Sequence, residues 1–411
     1  TIDAEESERL ELSLDVIAGA YEDPSLEGWE GYGLAVQAYQ KRAPYVIDYI
    51  VDLARRSGRR IPMRLVKGAY WDSEVKKAQA DGYPGFPVFT RKVNTDVSYL
   101  ACARQMLAAT DAIYPMFATH NAHTIAAIHH YAGGAAYEYQ KLHGMGDDLY
   151  AEVVPKHRLD TPCRVYAPVG SHEDLLPYLV RRLLENGANS SFVHQLVDPS
   201  VPVESLIDHP VTQLRKFASL ANDKIPLPPA LFGSVRKNSQ GLNMNISAAM
   251  QALELAYQPH LNRQWHAAPV INGEKLNGYT QEVRCPYQQS KVLGTAQFAS
   301  AAQAGLALDA LAAAWPRWNA TPVEQRAAIF ERLADLLEAQ RGELMALCTL
   351  EAGKTLQDGI DEVREAVDFC RYYAQQARLR LGREELQGPT GERNELFHEG
   401  RGIFACVSPW N

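Results

Sequence analysis

APYVIDYIVDLARRSG (43–58) is followed closely by MRLVKGAYW (63–71), and the change of period between the two stretches decides the fold class. The first has apolar residues at helical spacing and a glycine stop at Gly58. The second is a short apolar run with β-branched and aromatic character, bounded by turn residues. Working outward, GLAVQAY (33–39), IYPMFATH (113–120), EYQKLHG (138–144) and CRVYAPVG (163–170) read as further strands, and VSYLACARQMLAA (97–109) as a further helix. Strands alternating with crossovers of this length imply a parallel sheet in an α/β fold. The strands are apolar on both parities, as burial of both faces demands. Periodicity leaves an open doubly wound sheet and a closed barrel equally open. Gln37, Lys67, His120, His143 and Tyr166 fall at the C-terminal ends of successive runs, where both architectures place ligands.

A net charge of −8 and the lack of a dense basic run argue against nucleic-acid binding by these residues. Six cysteines without a C-x-x-C pair give neither a disulfide framework nor a zinc pattern. Their scatter fits a reducing, cytoplasmic setting. The chain starts without Met in TIDAEES and stops in IFACVSPWN (403–411), an apolar run that reads as a buried strand with Cys406 in the core. Both ends are therefore expected to be cuts in a longer protein. Residues 193–265 are Pro-rich and weakly periodic, and read as a linker with short helical pieces. From 266 a second unit begins with short strands and turns, followed by two long helices at roughly 322–350 and 355–382.

Three segments carry candidate chemistry. In SHEDLLPYLVRRLLENGANSSF (171–192), Leu176, Leu179, Val180 and Leu183 are expected to form a buried stripe, with Ser171 as cap and Asn186-Gly187 as stop. Tyr178, Arg181, Arg182 and Glu185 share the other face, at i, i+3, i+4 and i+7. Two guanidinium groups beside a tyrosine can clamp a carboxylate in bidentate fashion. The bland alternative is a solvated face with an Arg–Glu pair. In the strand at 63–71, alternation puts Arg64, Val66, Gly68 and Tyr70 on one side. A charge there needs a ligand or an ion pair, with Asp3 or Glu5 as candidate partners. Gly68 would let a ligand approach the backbone. FATHNAH (117–123) sets Thr119, His120 and Asn121 at a strand end. The histidines could also suggest a metal-dependent barrel hydrolase. No strand end shows H-x-H, however, and the strand-borne Arg and Lys would repel a cation, so no metal site is expected.

DAEESERLELSLD, VQAYQKR, RLVKGAYWDSEVKKAQ, FATHNAHT, LHGMGDDLY, CRVYAPVGSHEDLL and YLVRRLLENGANSSF, in order over residues 1–192, resemble the proline dehydrogenase domain of the proline utilization A family. The resemblance implies a (βα)8 TIM-type barrel that binds FAD at its strand ends, here lacking its first strands and a family lysine on them. It implies that Arg64 sits beside the flavin ring and tunes its reduction. Lys67, Gly68, Ala69 and Trp71 would line the cofactor, with Gln37, Thr119 and His120 also at the flavin and Glu185 in the same set. Arg91 and Lys92 would serve its phosphate or adenosine end. Arg181 and Arg182 would hold the carboxylate of L-proline, Tyr70, Tyr166 and Tyr178 would shape the pocket, and Asp3 would hold the polar network near the substrate.

PVINGEK (269–275), LEAGKT (350–355), EVREAVDFCRYYA (362–374) and VSPWN (407–411) resemble the start of an aldehyde dehydrogenase, which implies NAD in the complete domain. Asn411 would be one oxyanion-hole donor. LEAGKT is not a phosphate loop, because Cys348 stands where the first glycine is required. The family further implies a quinone or other electron acceptor, room for a homo-oligomer, and peripheral contact with the bacterial inner membrane. The competing readings are a monofunctional proline dehydrogenase with a non-catalytic extension and a binding barrel without catalysis. The 411 residues alone are expected to be inactive.

Overall fold

A computed structural model of the chain describes residues 1–187, 202 and 207–408, apart from the side chains at 174 and 181–187. Two compact units divide it, residues 1–80 with 85–227 and residues 81–84 with 228–411.

The first unit runs α1 (Leu10–Tyr21), β1 (Leu34–Gln37), α2 (Ala43–Ser57), β2 (Ile61–Val66), α3 (Trp71–Ala80), α4 (Lys92–Leu107) and β3 (Ile113–Ala118). It continues with α5 (Ala122–Ala132), β4 (Glu138–Leu142), α6 (Asp147–Ala151), β5 (Cys163–Tyr166), α7 (His172–Gly187) and α8 (Pro210–Leu214). Among the described residues the five strands form one parallel sheet in the order β1-β2-β3-β4-β5, and a parallel bridge from Ile2 to Leu34 extends it before β1. The order never reverses. A doubly wound sheet has a switch point where strand order turns back, so this sheet is the arc of a barrel, which periodicity could not decide. α2 stops where it was read to stop, with Gly58 in the left-handed region at φ +63°.

Alternation along the strands sorts the two faces. Leu34, Val36, Ile61, Met63, Leu65, Ile113, Phe117 and Tyr139 join one buried cluster with Val46, Ile47, Ile50, Tyr99, Met106, Ile125 and Ile128 from α2, α4 and α5. The opposite face of β2 and β4 carries Arg64, Glu138 and Gln140. A barrel interior is usually filled by branched apolar side chains, so this polar layer marks the inside of the arc as unusual.

In the second unit, α9 (Ser247–Tyr257) precedes β6 (Trp265–Ala267), β7 (Val270–Ile271), β8 (Glu274–Lys275), β9 (Tyr279–Cys285) and β10 (Gln288–Phe298). Then come α10 (Ala301–Ala320), α11 (Val323–Ala339), α12 (Arg341–Ala352) and α13 (Leu356–Arg380). Leu253, Tyr257, Ala334, Met345, Ala346, Ile360, Val363 and Val367 form its core. The buried Arg371 ties α13 to α11 through Glu338 at 2.9 Å and Asp335 at 3.0 Å.

Several expectations are corrected. The helix read at 322–350 is two helices that break at Gln340 (φ −100°). Two residues on, Gly342 lies so close to the Ala256 carbonyl that a Cβ would meet its oxygen at 2.3 Å. The approach of α12 to α9 thus needs a fresh helix direction, which Ala/Leu/Glu periodicity does not encode. α10 was not anticipated; it opens on a Ser300–Gln303 capping box. Residues 403–408 form no strand and Cys406 is exposed, because no described strand lies beside them to take up their backbone hydrogen bonds. The expected stripe on α7 is not buried: Leu176, Leu179 and Val180 are each 44–51% exposed. No described element packs over them, and Leu183 lies outside the described side chains. Within 193–265, α8 belongs to the first unit, whereas α9 supplies core residues to the second.

Candidate active site

The polar groups gather at the C-terminal ends of the sheet. Arg64, on β2, has a side chain only 13% exposed. Its Nε donates to Gln140 Oε1 at 2.6 Å, and its NH1 pairs with Asp3. The guanidinium lies 4.9 Å from the ring centre of Tyr166, at the end of β5. Of the two candidate partners, Asp3 is therefore the one engaged. Glu5 takes the Tyr70 hydroxyl at 2.5 Å and, through its carbonyl, the Gln37 amide at 2.7 Å. Asp3, Arg64 and Tyr166 thus form one group, and Gln37 and Tyr70 a second around Glu5, two residues along the chain from Asp3.

Beyond β2 the chain turns through Lys67 and Gly68. Gly68 adopts φ +136°, and a Cβ would lie 2.4 Å from the Tyr39 ring. Only glycine fits such a turn, so a ring of the protein itself crowds the backbone here. Ala69 follows in the turn, and Trp71 opens α3 with its Nε1 donating to Phe89 O at 2.8 Å. Lys67 pairs with Asp96 on α4, and Lys92 reaches the other oxygen of that carboxylate at 3.2 Å. Burial pushes the Asp96 pKa up, but the two ammonium groups outweigh it and hold the carboxyl below its ordinary value. Arg91 is also engaged, with Asp223, with Ala221 O at 2.9 Å and with the Phe217 ring at 4.2 Å.

At β3, Thr119 is buried and its Oγ1 accepts from Asn121 N at 3.1 Å, while Asn121 caps α5. His120 Nε2 accepts from Leu142 N at 3.3 Å, which ties the β3 end to the β4 end. His129 and His130 lie exposed on α5 as read. Among the described residues no group of His, Cys, Asp and Glu is placed to hold a metal ion. No helix among them is long and apolar enough to cross a membrane. The structure thus brings Asp3, Gln37, Arg64, Tyr70, Thr119, His120 and Tyr166 to the ends of consecutive strands, and sets Lys67, Arg91 and Lys92 around the start of α4. Tyr178 lies on α7, half-buried. The side chains of Arg181, Arg182 and Glu185, and all of Asn411, fall outside the described residues.

Sequence reasoning missed Glu138, Gln140 and Arg164. Gln140 is 1% exposed and Glu138 5%. Gln140 Nε2 donates to Glu138 Oε1 at 2.8 Å, and Arg164 grips Glu138 in a fork at 2.8 and 2.9 Å. A weaker signal existed: Glu138 and Gln140 share one parity of β4, opposite the buried Tyr139, but Lys141 makes the strand too polar for the test that singled out Arg64.

The donor set fits a flavin nucleotide. A fixed guanidinium with amide and imidazole groups at strand ends suits the polar edge of the ring, and Lys67, Lys92 and Arg91, which pair here with Asp96 and Asp223, are the cations that phosphate would draw on.

The proline dehydrogenase family matches residues 1–195, and the aldehyde dehydrogenase family matches residues 274–411. The bifunctional protein PutA of Klebsiella aerogenes is 48% identical over 423 residues, covering 100% of this chain and 31% of that protein. Along its whole length this chain is similar to the bifunctional PutA proteins. A crystal structure of proline utilization A from Bradyrhizobium japonicum is 46% identical with a TM-score of 0.85, over 97% of this chain and 38% of that one. Proline utilization A from Bdellovibrio bacteriovorus, in a form inactivated by N-propargylglycine, is 30% identical with a TM-score of 0.87, over 97% and 41% of the two chains. The chain spans about a third of the length of the curated relatives it matches. The two families imply flavin and NAD use.

Proposed function

We propose that this stretch supplies the proline-oxidising barrel and the beginning of the aldehyde dehydrogenase domain of a bifunctional proline catabolic enzyme, which converts L-proline to glutamate. The observation that carries the reading is Arg64, fixed between Asp3 and Gln140 at the strand ends with Tyr166 against it.

FAD bound there would accept hydride from the carbon beside the proline nitrogen, giving pyrroline-5-carboxylate, which hydrolyses to glutamate semialdehyde. The protein's part is to orient and to set charge. Arg64 would place a permanent positive charge beside the flavin ring. Gln37, Lys67, Gly68, Ala69, Trp71, Thr119, His120 and Glu185 would line the cofactor, and Arg91 and Lys92 would neutralise its phosphate end. Arg181 and Arg182 take the proline carboxylate, with Tyr70, Tyr166 and Tyr178 as walls and Asp3 holding the network at the substrate. In the second domain, Asn411 would donate to the oxyanion of the aldehyde step, for which NAD would supply the redox chemistry. The acceptor for the first step is a quinone or equivalent. The protein works in the cytoplasm with peripheral contact at the inner membrane, and as an oligomer if it pairs.

The test is the purified full-length protein. It should show flavin absorbance, bleach on anaerobic addition of L-proline, and reduce NAD when supplied with pyrroline-5-carboxylate. A colourless protein, or one whose flavin ignores proline, overturns the reading.

A further inference from the structure

The bonds that fix Arg64 continue into a longer hydrogen-bonded chain, Arg164 to Glu138, Glu138 to Gln140, Gln140 to Arg64 and Arg64 to Asp3, whose Glu138 and Arg164 no described role requires. Its middle members are almost wholly buried, whereas the Arg164 side chain is 65% exposed. We infer that Glu138 is a positioning residue for Arg64, acting through the orientation it imposes on the Gln140 amide. The inference rests on the functional reading above.

The argument turns on Gln140, whose two amide ends have opposite hydrogen-bonding character. An ionised carboxylate can only accept, so Glu138 Oε1 must face Gln140 Nε2, at 2.8 Å. Met116 Sδ, a weak acceptor 3.0 Å from the same nitrogen, favours that orientation too. Gln140 Oε1 is thereby left pointing at Arg64, where it accepts from Nε at 2.6 Å. Were the amide reversed, an NH2 group would face the guanidinium and the bond would become a clash of donors. Glu138 therefore fixes, at one remove, where the Arg64 charge sits. Its own ionisation is secured locally. Burial acts to raise its pKa, but hydrogen bonds from Arg164 and Gln140, the Arg164 charge and the Tyr114 hydroxyl at 3.4 Å outweigh it and hold the carboxyl below its ordinary range. Arg60 lies against the far side of Tyr114, at 5.3 Å from its ring centre.

The test uses the full-length protein loaded with FAD. Glu138→Gln keeps the shape but can turn a donor toward Gln140, releasing the amide's orientation. Expected are an unchanged FAD content, a KM for proline within about twofold, a kcat lower by roughly tenfold, and a more negative flavin midpoint potential. In an Arg64→Met background the same substitution should change neither kcat nor potential. Equal losses in both backgrounds, or no change in kcat and potential in the Arg64 protein, overturn the inference while leaving the functional reading intact. A colourless unsubstituted protein overturns both. Should Glu138→Gln not fold, Arg164→Gln at the exposed end carries the test. With its main counter-charge gone, Glu138 should titrate at higher pH and kcat should gain an acid limb absent from the parent. An unaltered pH profile there counts against the inference.

Discussion

At Gly68 a backbone φ of +136° and a Tyr39 ring too near for any Cβ coincide. Gly68→Ala is expected to destabilise the first unit by roughly 2–4 kcal/mol, seen as a lower urea midpoint, because strain and overlap add. Asp96 gives a prediction with a pH sign. Its folded pKa is depressed below the ordinary 3.8, so its contribution is present above that pH and lost as pH falls through the folded value. Asp96→Asn should therefore cost about 1–3 kcal/mol at neutral pH, and the gap between variant and parent should close as unfolding is followed below the ordinary value. At this scale Arg64 was legible, since a charge on an apolar strand demands a partner. The choice between Asp3 and Glu5 was not legible, because it depends on where Ile2 bridges Leu34.

At the scale of elements, regular strands and amphipathic helices were readable wherever one face met one partner, as in α2 and β2. α7 was misread because a helical stripe reports what a helix can bury and not what lies against it. LEAGKT shows the converse. Gly353 closes α12 in the left-handed region, Lys354 reaches Glu362 at 2.7 Å, and Thr355 caps α13, so the motif is a helix–helix turn. The cap on α5 is testable in the same way. Asn121 Oδ1 accepts from Thr124 N at 3.1 Å, and Asn121→Ala is expected to cost about 1 kcal/mol of thermal or urea stability. A loss near zero would mean that the α5 start is held by packing alone.

For the whole molecule, the strand order decided what periodicity left open, and it exists only in three dimensions. Among the described residues the arc has two ends, the Ile2 bridge before β1 and the β5 edge, where Val165 is 49% exposed. Parallel strands tolerate such edges poorly. The 411 residues by themselves should accordingly show background-level proline-to-dye turnover even with one equivalent of FAD. Turnover comparable to the full-length protein would refute that expectation.

The unbroken strand order has a further consequence, for biosynthesis. Each strand of the first unit pairs with the one made just before it, so every new strand–helix unit leaving the ribosome finds its template already outside. The unit can thus grow by accretion in the direction of translation, without waiting for a distant segment. Arg64 is the exception. Its neighbours Asp3 and Gln140 lie 61 residues before it and 76 after it, so the polar layer stays incomplete until β4 has emerged. The sheet can form early, and the site must mature late.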